Sequence, residues 1–177
     1  MHPFVVKVGP LLHRPGARRQ ARVSGRIEGL SVVGTTVPDD ADVVVDTVLE
    51  WVSDGLLATG TASAPWVGEC RRCLGAVTGE VGAEFCELFE ESPREGESYQ
   101  LRPDTIDLTP LARETVLLDL PLAPLCRADC RGLCPVCGID LNQGSCACTE
   151  SSLDPRWAAL DVLRGDAGLS GESRSAG

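Results

Sequence analysis

Nine cysteines in 177 residues constrain this chain more than any other feature, and their spacing constrains it further. Six fall between Cys126 and Cys148, in the string Cys126-x3-Cys130-x3-Cys134-Pro-Val-Cys137-Gly138 followed by Cys146-Ala-Cys148. A further close pair, Cys70-Arg-Arg-Cys73, lies upstream, and Cys86 stands apart. An odd count with gaps of two and three residues favours metal thiolates over disulfide bridges. The N-terminus does not read as an export signal, because Lys7, Pro10, His13 and Arg14 interrupt its apolar residues. A cytoplasmic protein is therefore expected. No apolar run approaches the ~18 residues of a spanning helix, so no membrane role is expected. The best stretch, Val116 to Leu125, is broken by Asp119, Pro121 and Pro124.

Zinc prefers four soft ligands in a tetrahedron, with sulfur at ~2.3 Å. A two-residue gap lets both thiolates face one ion while the intervening backbone N–H groups point toward sulfur and offset its charge. Gly138, just after Cys137, permits the close turn of such a knuckle. Asn142, Gln143 and Gly144 supply a second turn that brings Cys146 and Cys148 back. The first expectation is one closed zinc site from Cys134, Cys137, Cys146 and Cys148, with a second from Cys70, Cys73, Cys126 and Cys130. The competing pairing joins the Cys70/Cys73 knuckle to the Cys134/Cys137 knuckle, as in a zinc ribbon, and spacing does not choose between them. Cys86 reads as a small half-buried residue rather than a ligand.

Catalysis finds little support. Hydrolytic zinc keeps an open position and commonly uses histidine. The only histidines are His2 and His13, both far in sequence from the cysteines. The zinc-deaminase pattern fails because no His-x-Glu precedes the knuckle, and no glycine-rich phosphate loop occurs. A non-enzymatic chain with structural zinc and no small-molecule substrate is expected.

With 43% hydrophobic residues at this length, the body can bury a core without covalent staples. Alternation of Val23, Gly25 and Ile27, then of Val43, Val45, Thr47, Leu49 and Trp51, predicts strands. Ser53-Asp54-Gly55 is a turn, and Leu56 to Val67 resumes as strand, with Pro65 suggesting an edge or bulge. Val77, Gly79, Val81, Ala83 and Phe85 alternate beyond Cys73, which puts the first knuckle at a hairpin tip. A helix is predicted after Ile106, with Thr109 as cap, Pro110 in the first turn, and Leu111, Thr115 and Leu118 on one face. A second is predicted after Asp154 as cap, with Pro155 at its first position, Trp157 as a core anchor and Gly165 past its end. The expected class is α+β: mainly antiparallel β with two short helices and a cysteine-rich zinc module near the C-terminus. Its parts are a β-rich domain at 1–125, the zinc module at 126–148, a helix packing on the body at 149–164 and a disordered tail at 165–177.

The net charge of −10 is uneven. Residues 1–27 hold Lys7, Arg14, Arg18, Arg19, Arg22 and Arg26 and no acid, whereas 28–69 hold acids and no base. So acidic a chain should not coat nucleic acid indiscriminately. Arginine forks nonetheless match phosphate, which makes Arg18, Arg19, Arg22, Arg71 and Arg72 candidate RNA contacts. A solvated strand edge is the plainer reading of the N-terminal arginines.

Several strings together resemble one bacterial family. They are Pro121-Leu-Ala-Pro-Leu-Cys126, Cys130-Arg-Gly-Leu-Cys134-Pro-Val-Cys137-Gly-Ile-Asp-Leu-Asn142, Cys70-Arg-Arg-Cys73-Leu74, Ile106-Asp-Leu-Thr-Pro110 and Asp154-Pro-Arg-Trp-Ala-Ala-Leu160. The chain resembles the YceD-type family, the large ribosomal RNA subunit accumulation proteins, over roughly residues 4–164. The resemblance implies a role in accumulation or processing of large-subunit (23S) ribosomal RNA, with that RNA or a precursor particle as partner and a ribosomal protein as a further candidate. It implies no catalytic residue. Two other readings compete: a thiol and zinc redox sensor or holdase, and a plain interaction module whose acidic faces bind a basic ribosomal protein.

Overall fold

The computed structural model describes residues 3–148, which fall into two units divided after Gly132. The first unit holds nine strands and one helix among the described residues. The strands are β1 (Val5–Lys7), β2 (Arg18–Gly25), β3 (Ser31–Val32), β4 (Thr35–Thr36), β5 (Val43–Val52), β6 (Gly55–Glu69), β7 (Ala76–Glu90), β8 (Tyr99–Gln100) and β9 (Thr105–Asp107); the helix is α1 (Thr109–Asp119). β2, β5, β6, β4 and β3 follow one another across a sheet, with β7 on the other side of β6 and β8 beyond β7. All pairs are antiparallel except β7 with β8, and β1 pairs separately with β9.

Alternation decides which face is covered. Along β5, Val43, Val45, Thr47 and Leu49 are buried while Val48 is exposed. Thr47 is satisfied in the interior by donating to Thr59 O at 3.1 Å. Phe4, Leu56, Phe89, Ile106, Leu111 and Val116 fill the space beneath the sheet, all essentially inaccessible. Burial of this kind contributes ~25 cal/mol per Å2 of apolar surface, which a body of this size can supply without metal. Pro65 falls where β6 has left β5, at Val44↔Ser63, and has not yet met β4, at Thr36↔Val67. A residue without an N–H fits that gap in the ladder.

The helix differs from its sequence reading in two respects. Thr109 lies inside the first turn and Leu108 occupies the N-cap position; Asp107 Oδ1 does the capping work, accepting from Thr109 N at 2.9 Å and Thr109 Oγ1 at 2.6 Å. The buried stripe is Leu111, Ala112 and Val116, while Leu118 is 88% exposed. The predicted face was rotated because it matched helical spacing without knowing on which side β7 lies. The mainly antiparallel β class is otherwise as expected. The predicted second helix and the tail lie outside the described residues.

Candidate metal centres

The β6–β7 hairpin runs in unbroken register from Leu56↔Phe89 to Glu69↔Ala76 and ends in the loop carrying Cys70 and Cys73. Cys70 N donates to Gly75 O at 2.8 Å, and Leu74 N donates to Cys70 O at 2.9 Å. Leu74 closes this turn in the left-handed region, at φ 59°. The segment bearing Cys126 and Cys130 is fastened to the loop by two neighbours of Cys70. Arg71 N donates to Pro124 O at 3.0 Å, and Arg72 Nη1 donates to Cys130 O at 2.8 Å and Ala128 O at 3.3 Å. Gly132, at φ 76°, passes so near that a Cβ there would lie 3.0 Å from Arg72 O. The four sulfurs of Cys70, Cys73, Cys126 and Cys130 thereby lie within 4.8 Å of one another.

The second knuckle repeats this wiring in the second unit. Cys134 N donates to Ile139 O at 2.8 Å, and Gly138 N, at φ 73°, donates to Cys134 O at 2.9 Å. Val136 N points at Cys134 Sγ, 3.4 Å away, as the two-residue spacing leads one to expect. The return turn is organised by Asp140, which the sequence reading missed. Its Oδ1 accepts from Asn142 N at 2.9 Å and Asn142 Nδ2 at 2.7 Å, and its Oδ2 accepts from Gln143 Nε2 at 3.0 Å. An aspartate two residues before the Asn-Gln-Gly run is the signal of such a side-chain-closed turn. Cys134, Cys137, Cys146 and Cys148 then gather within 4.8 Å. The grouping is that of the first expectation and not of the ribbon alternative.

Size tests the fit to an ion. Sulfurs at ~2.3 Å from a tetrahedral centre are ~3.8 Å apart. Cys70 Sγ to Cys130 Sγ is 3.8 Å and Cys73 Sγ to Cys126 Sγ is 3.7 Å. These are non-bonded distances, and none of the nine cysteines is joined in a disulfide. Each tetrad holds one readily ionised member. Backbone N–H groups, of Cys126 foremost and then Cys73, bring the Cys70 thiol down to about 6; those of Cys137 and Val136 do the same for Cys134. Other members hold their protons: a hydrogen bond with Cys130, then burial, pushes Cys126 up to about 12, and one with Cys137, then burial, pushes Cys148 up to about 12. Four thiolates so close repel unless a cation neutralises them.

The remaining candidates sit elsewhere. Cys86 is exposed on β7, where it accepts a weak hydrogen bond from Thr59 Oγ1 at 3.7 Å. Arg18 and Arg22 on β2 are paired across the strand with Glu50 at 3.0 Å and Asp46 at 3.4 Å. Arg19 Nη1 donates to Lys7 O at 2.8 Å. Arg71 is exposed beside the first tetrad.

Fold and centres together define a mainly antiparallel β protein with two all-cysteine tetrads, each with its four sulfurs close enough to hold one metal ion. No helix among the described residues is long and apolar enough to cross a membrane. The chain belongs to the YceD family: the model of the family described as large ribosomal RNA subunit accumulation protein YceD matches residues 58–164, from β6 through both tetrads. That family carries a ribosome-related role, and its description names accumulation rather than catalysis. "Uncharacterized protein Rv2926c" of Mycobacterium tuberculosis is 38% identical over 93% of this chain and 86% of its own length. YlbN of Bacillus subtilis is 30% identical over 58% of this chain and 63% of its own. The chloroplastic "Large ribosomal RNA subunit accumulation protein YCED homolog 1" of Arabidopsis thaliana is 32% identical over 33% of this chain and 18% of its own. No solved structure matches.

Proposed function

We propose that the chain is a non-enzymatic, cytoplasmic ribosome biogenesis factor needed for accumulation or processing of the large-subunit (23S) ribosomal RNA, with one structural zinc in each tetrad. The family match carries the ribosomal part of this reading. Two sulfur-to-sulfur distances in the first tetrad match the edge of a zinc tetrathiolate, and the four sulfurs of the second gather within 4.8 Å, which supports the zinc part. When bound, zinc supplies cross-linking and charge neutralisation. Cys70, Cys73, Cys126 and Cys130 hold one ion, and Cys134, Cys137, Cys146 and Cys148 the other, with no vacant position for a reactant.

The arginines divide into two roles. Arg72 is a positioning residue, because its guanidinium spans two backbone carbonyls of the facing segment. Arg18, Arg19, Arg22 and Arg71 are the phosphate contacts. The ion pairs of Arg18 and Arg22 are solvent-exposed, and exposed pairs are worth ~0–1 kcal/mol, so phosphate can replace the carboxylates.

Two measurements test the reading. Elemental analysis of purified protein is expected to give two zinc ions per chain. Binding to a large-subunit precursor RNA fragment is expected to weaken steeply with salt, and further on Arg18→Ala with Arg19→Ala. Binding that ignores salt removes direct phosphate contact, and a chain free of transition metal removes the zinc assignment.

A further inference from the structure

β7 is paired unequally on its two sides. On one side it meets β6 along its whole length; on the other only Phe89 and Glu90 meet β8. In an antiparallel ladder the N–H and C=O of a given residue point the same way and alternate along the strand. Two observations fix which residues of β7 face the open side. Gly82 N donates to Asp119 Oδ2 on α1 at 3.2 Å, and Glu90 O accepts from Leu101 N at 2.8 Å. Both are even-numbered, and the register between them has no bulge. Among the described residues, the backbone groups of Glu84 and Cys86 and the N–H of Leu88 therefore lie along an edge with no strand against them, while the Phe89↔Tyr99 bridge takes up Leu88 O.

That edge is not open to bulk solvent on all sides. It forms one wall of a groove of about 320 Å3 whose other wall is α1. Asp119 closes one end by its bond to Gly82 N, and Tyr99 closes the other, stacked on Phe89 with its hydroxyl donating to Glu114 at 2.6 Å. The open stretch, residues 83–87, is about 17 Å long at ~3.4 Å per residue, room for a short extended segment. The side chains around it are of two kinds. Glu84, Glu87, Glu114 and Asp119 are acidic, with no base among the lining residues. Leu118 sits on the helix rim at 88% exposure, displaced from the core face that helical spacing predicts for it.

We propose that this groove takes an extended, cationic peptide, which adds to β7 as a further strand. The peptide backbone pairs with Glu84 and Cys86 and accepts from Leu88 N, its lysines or arginines meet the four carboxylates, and an apolar side chain covers Leu118. Strand addition draws affinity from main-chain hydrogen bonds and selectivity from alternate side chains, which is what an unpaired edge beside a shaped acidic wall provides. The inference goes beyond the ribosomal reading and does not rest on it. Neither the tetrads nor the arginines take part.

The test uses the full chain with its metal and a labelled peptide of alternating lysine and valine, with an alternating glutamate and valine peptide as control. Fluorescence anisotropy should show the lysine peptide binding, the glutamate peptide not binding, and the affinity falling with salt and with Glu84→Gln plus Glu87→Gln. Two lysine peptides N-methylated on alternate sets of amides separate pairing from simple attraction. The set that faces β7 should weaken binding about tenfold, as expected for losing the two hydrogen bonds to Glu84 O and Cys86 O at ~0.5–1.5 kcal/mol each, and the other set should not. Hydrogen exchange should slow at Glu84, Cys86 and Leu88. Equal binding of both methylated peptides, protection elsewhere, or no binding of the lysine peptide would overturn the proposal. Protection of the same three amides by a large-subunit RNA fragment would overturn it too, and assign the groove to RNA.

Discussion

The two knuckles share one hydrogen-bond pattern and differ in nearly everything that surrounds it. In each, the first cysteine's N–H reaches the carbonyl five residues on, and its carbonyl accepts from the residue four on, which is left-handed. The first sits on the tip of a long hairpin rooted in an apolar core, with Cys70 and Cys130 buried and with Arg71, Arg72, Arg127 and Arg131 in the adjoining sequence. The second belongs to a unit in which Cys134 is the one buried residue among the described positions 133–148, Val136 is 55% and Ile139 is 42% exposed, and no basic residue occurs in that span. An ion with four thiolates carries −2 overall. Four arginines adjoin the first tetrad in sequence, whereas the second has Asp140 between its cysteines and no base in its span. One pattern thus serves a fixture on an existing fold in one place and the main source of order in the other.

Chelation gives the sharpest division. Removing metal should leave the β unit folded, because its core of Phe4, Val43, Leu49, Phe89 and Leu111 does not depend on an ion. Residues 133–148 should lose their structure, since structural zinc supplies ~10–16 kcal/mol in small domains that bury little else. Amide exchange before and after chelator checks this: collapse of protection across β5–β7 would break the comparison, and retained protection at Gly138 and Cys134 would reverse it.

Acid should release metal from both tetrads. The thiols of Cys70 and Cys134, lowered to about 6, are ionised at pH 7.5 even without metal, while those of Cys126 and Cys148, raised to about 12, are protonated. Metal uptake at pH 7.5 therefore expels fewer than four protons per tetrad, and affinity rises with pH. The sign for the depressed groups is that their contribution is present at high pH and lost as pH falls through about 6, so affinity should drop more steeply below that value. Calorimetry in buffers of different ionisation heat counts the protons; four per ion would show that no thiolate is preformed.

Arg72→Ala should act on one tetrad alone. It removes the two bonds to Ala128 O and Cys130 O, and hydrogen bonds from a charged group are each worth ~1.5–3 kcal/mol at most, less here because the guanidinium is exposed. Zinc should leave the first tetrad faster under chelator while the second is unchanged. Weaker RNA binding without faster metal loss would return Arg72 to the phosphate contacts.

What could be read from the sequence followed from local periodicity and ligand spacing. The two-residue alternation of β5, β6 and β7 and the position of Cys70-x2-Cys73 at a hairpin tip needed no tertiary information. The hidden features were those in which a residue acts on a distant segment or competes with a nearer candidate. Arg72 reads in the sequence as an RNA-contact candidate, whereas its carbonyl partners come from Ala128 and Cys130, far along the chain. Leu118 satisfied helical spacing but not the side on which β7 lies. Asp107 caps the helix where the sequence suggests Thr109, and Asp140 closes the turn that Asn142-Gln143-Gly144 suggests, because an aspartate carboxylate readily accepts from the N–H two residues on. The free edge of β7 has no sequence signal at all, since it depends on where β8 stops.

The smallest expected effect tests the shared pattern itself. Gly138 and Leu74 hold the same place in the two turns, at φ 73° and φ 59°. A left-handed residue with a Cβ costs roughly 1–2 kcal/mol, so Gly138→Ala should destabilise the second knuckle by about 1 kcal/mol. No atom of the described residues lies within 4 Å of a Cβ placed there, so the cost would be conformational and not steric. Leu74→Gly relieves the same strain in the first knuckle but frees the unfolded chain, which returns ~0.5–1 kcal/mol of the gain. Because Leu74 is 61% exposed, little packing is lost, and the net change should lie near zero. Chelator-induced zinc loss, followed separately at each tetrad, reads both substitutions. A large loss at the first tetrad on Leu74→Gly would show that the leucine side chain, not the backbone conformation, is what that knuckle retains.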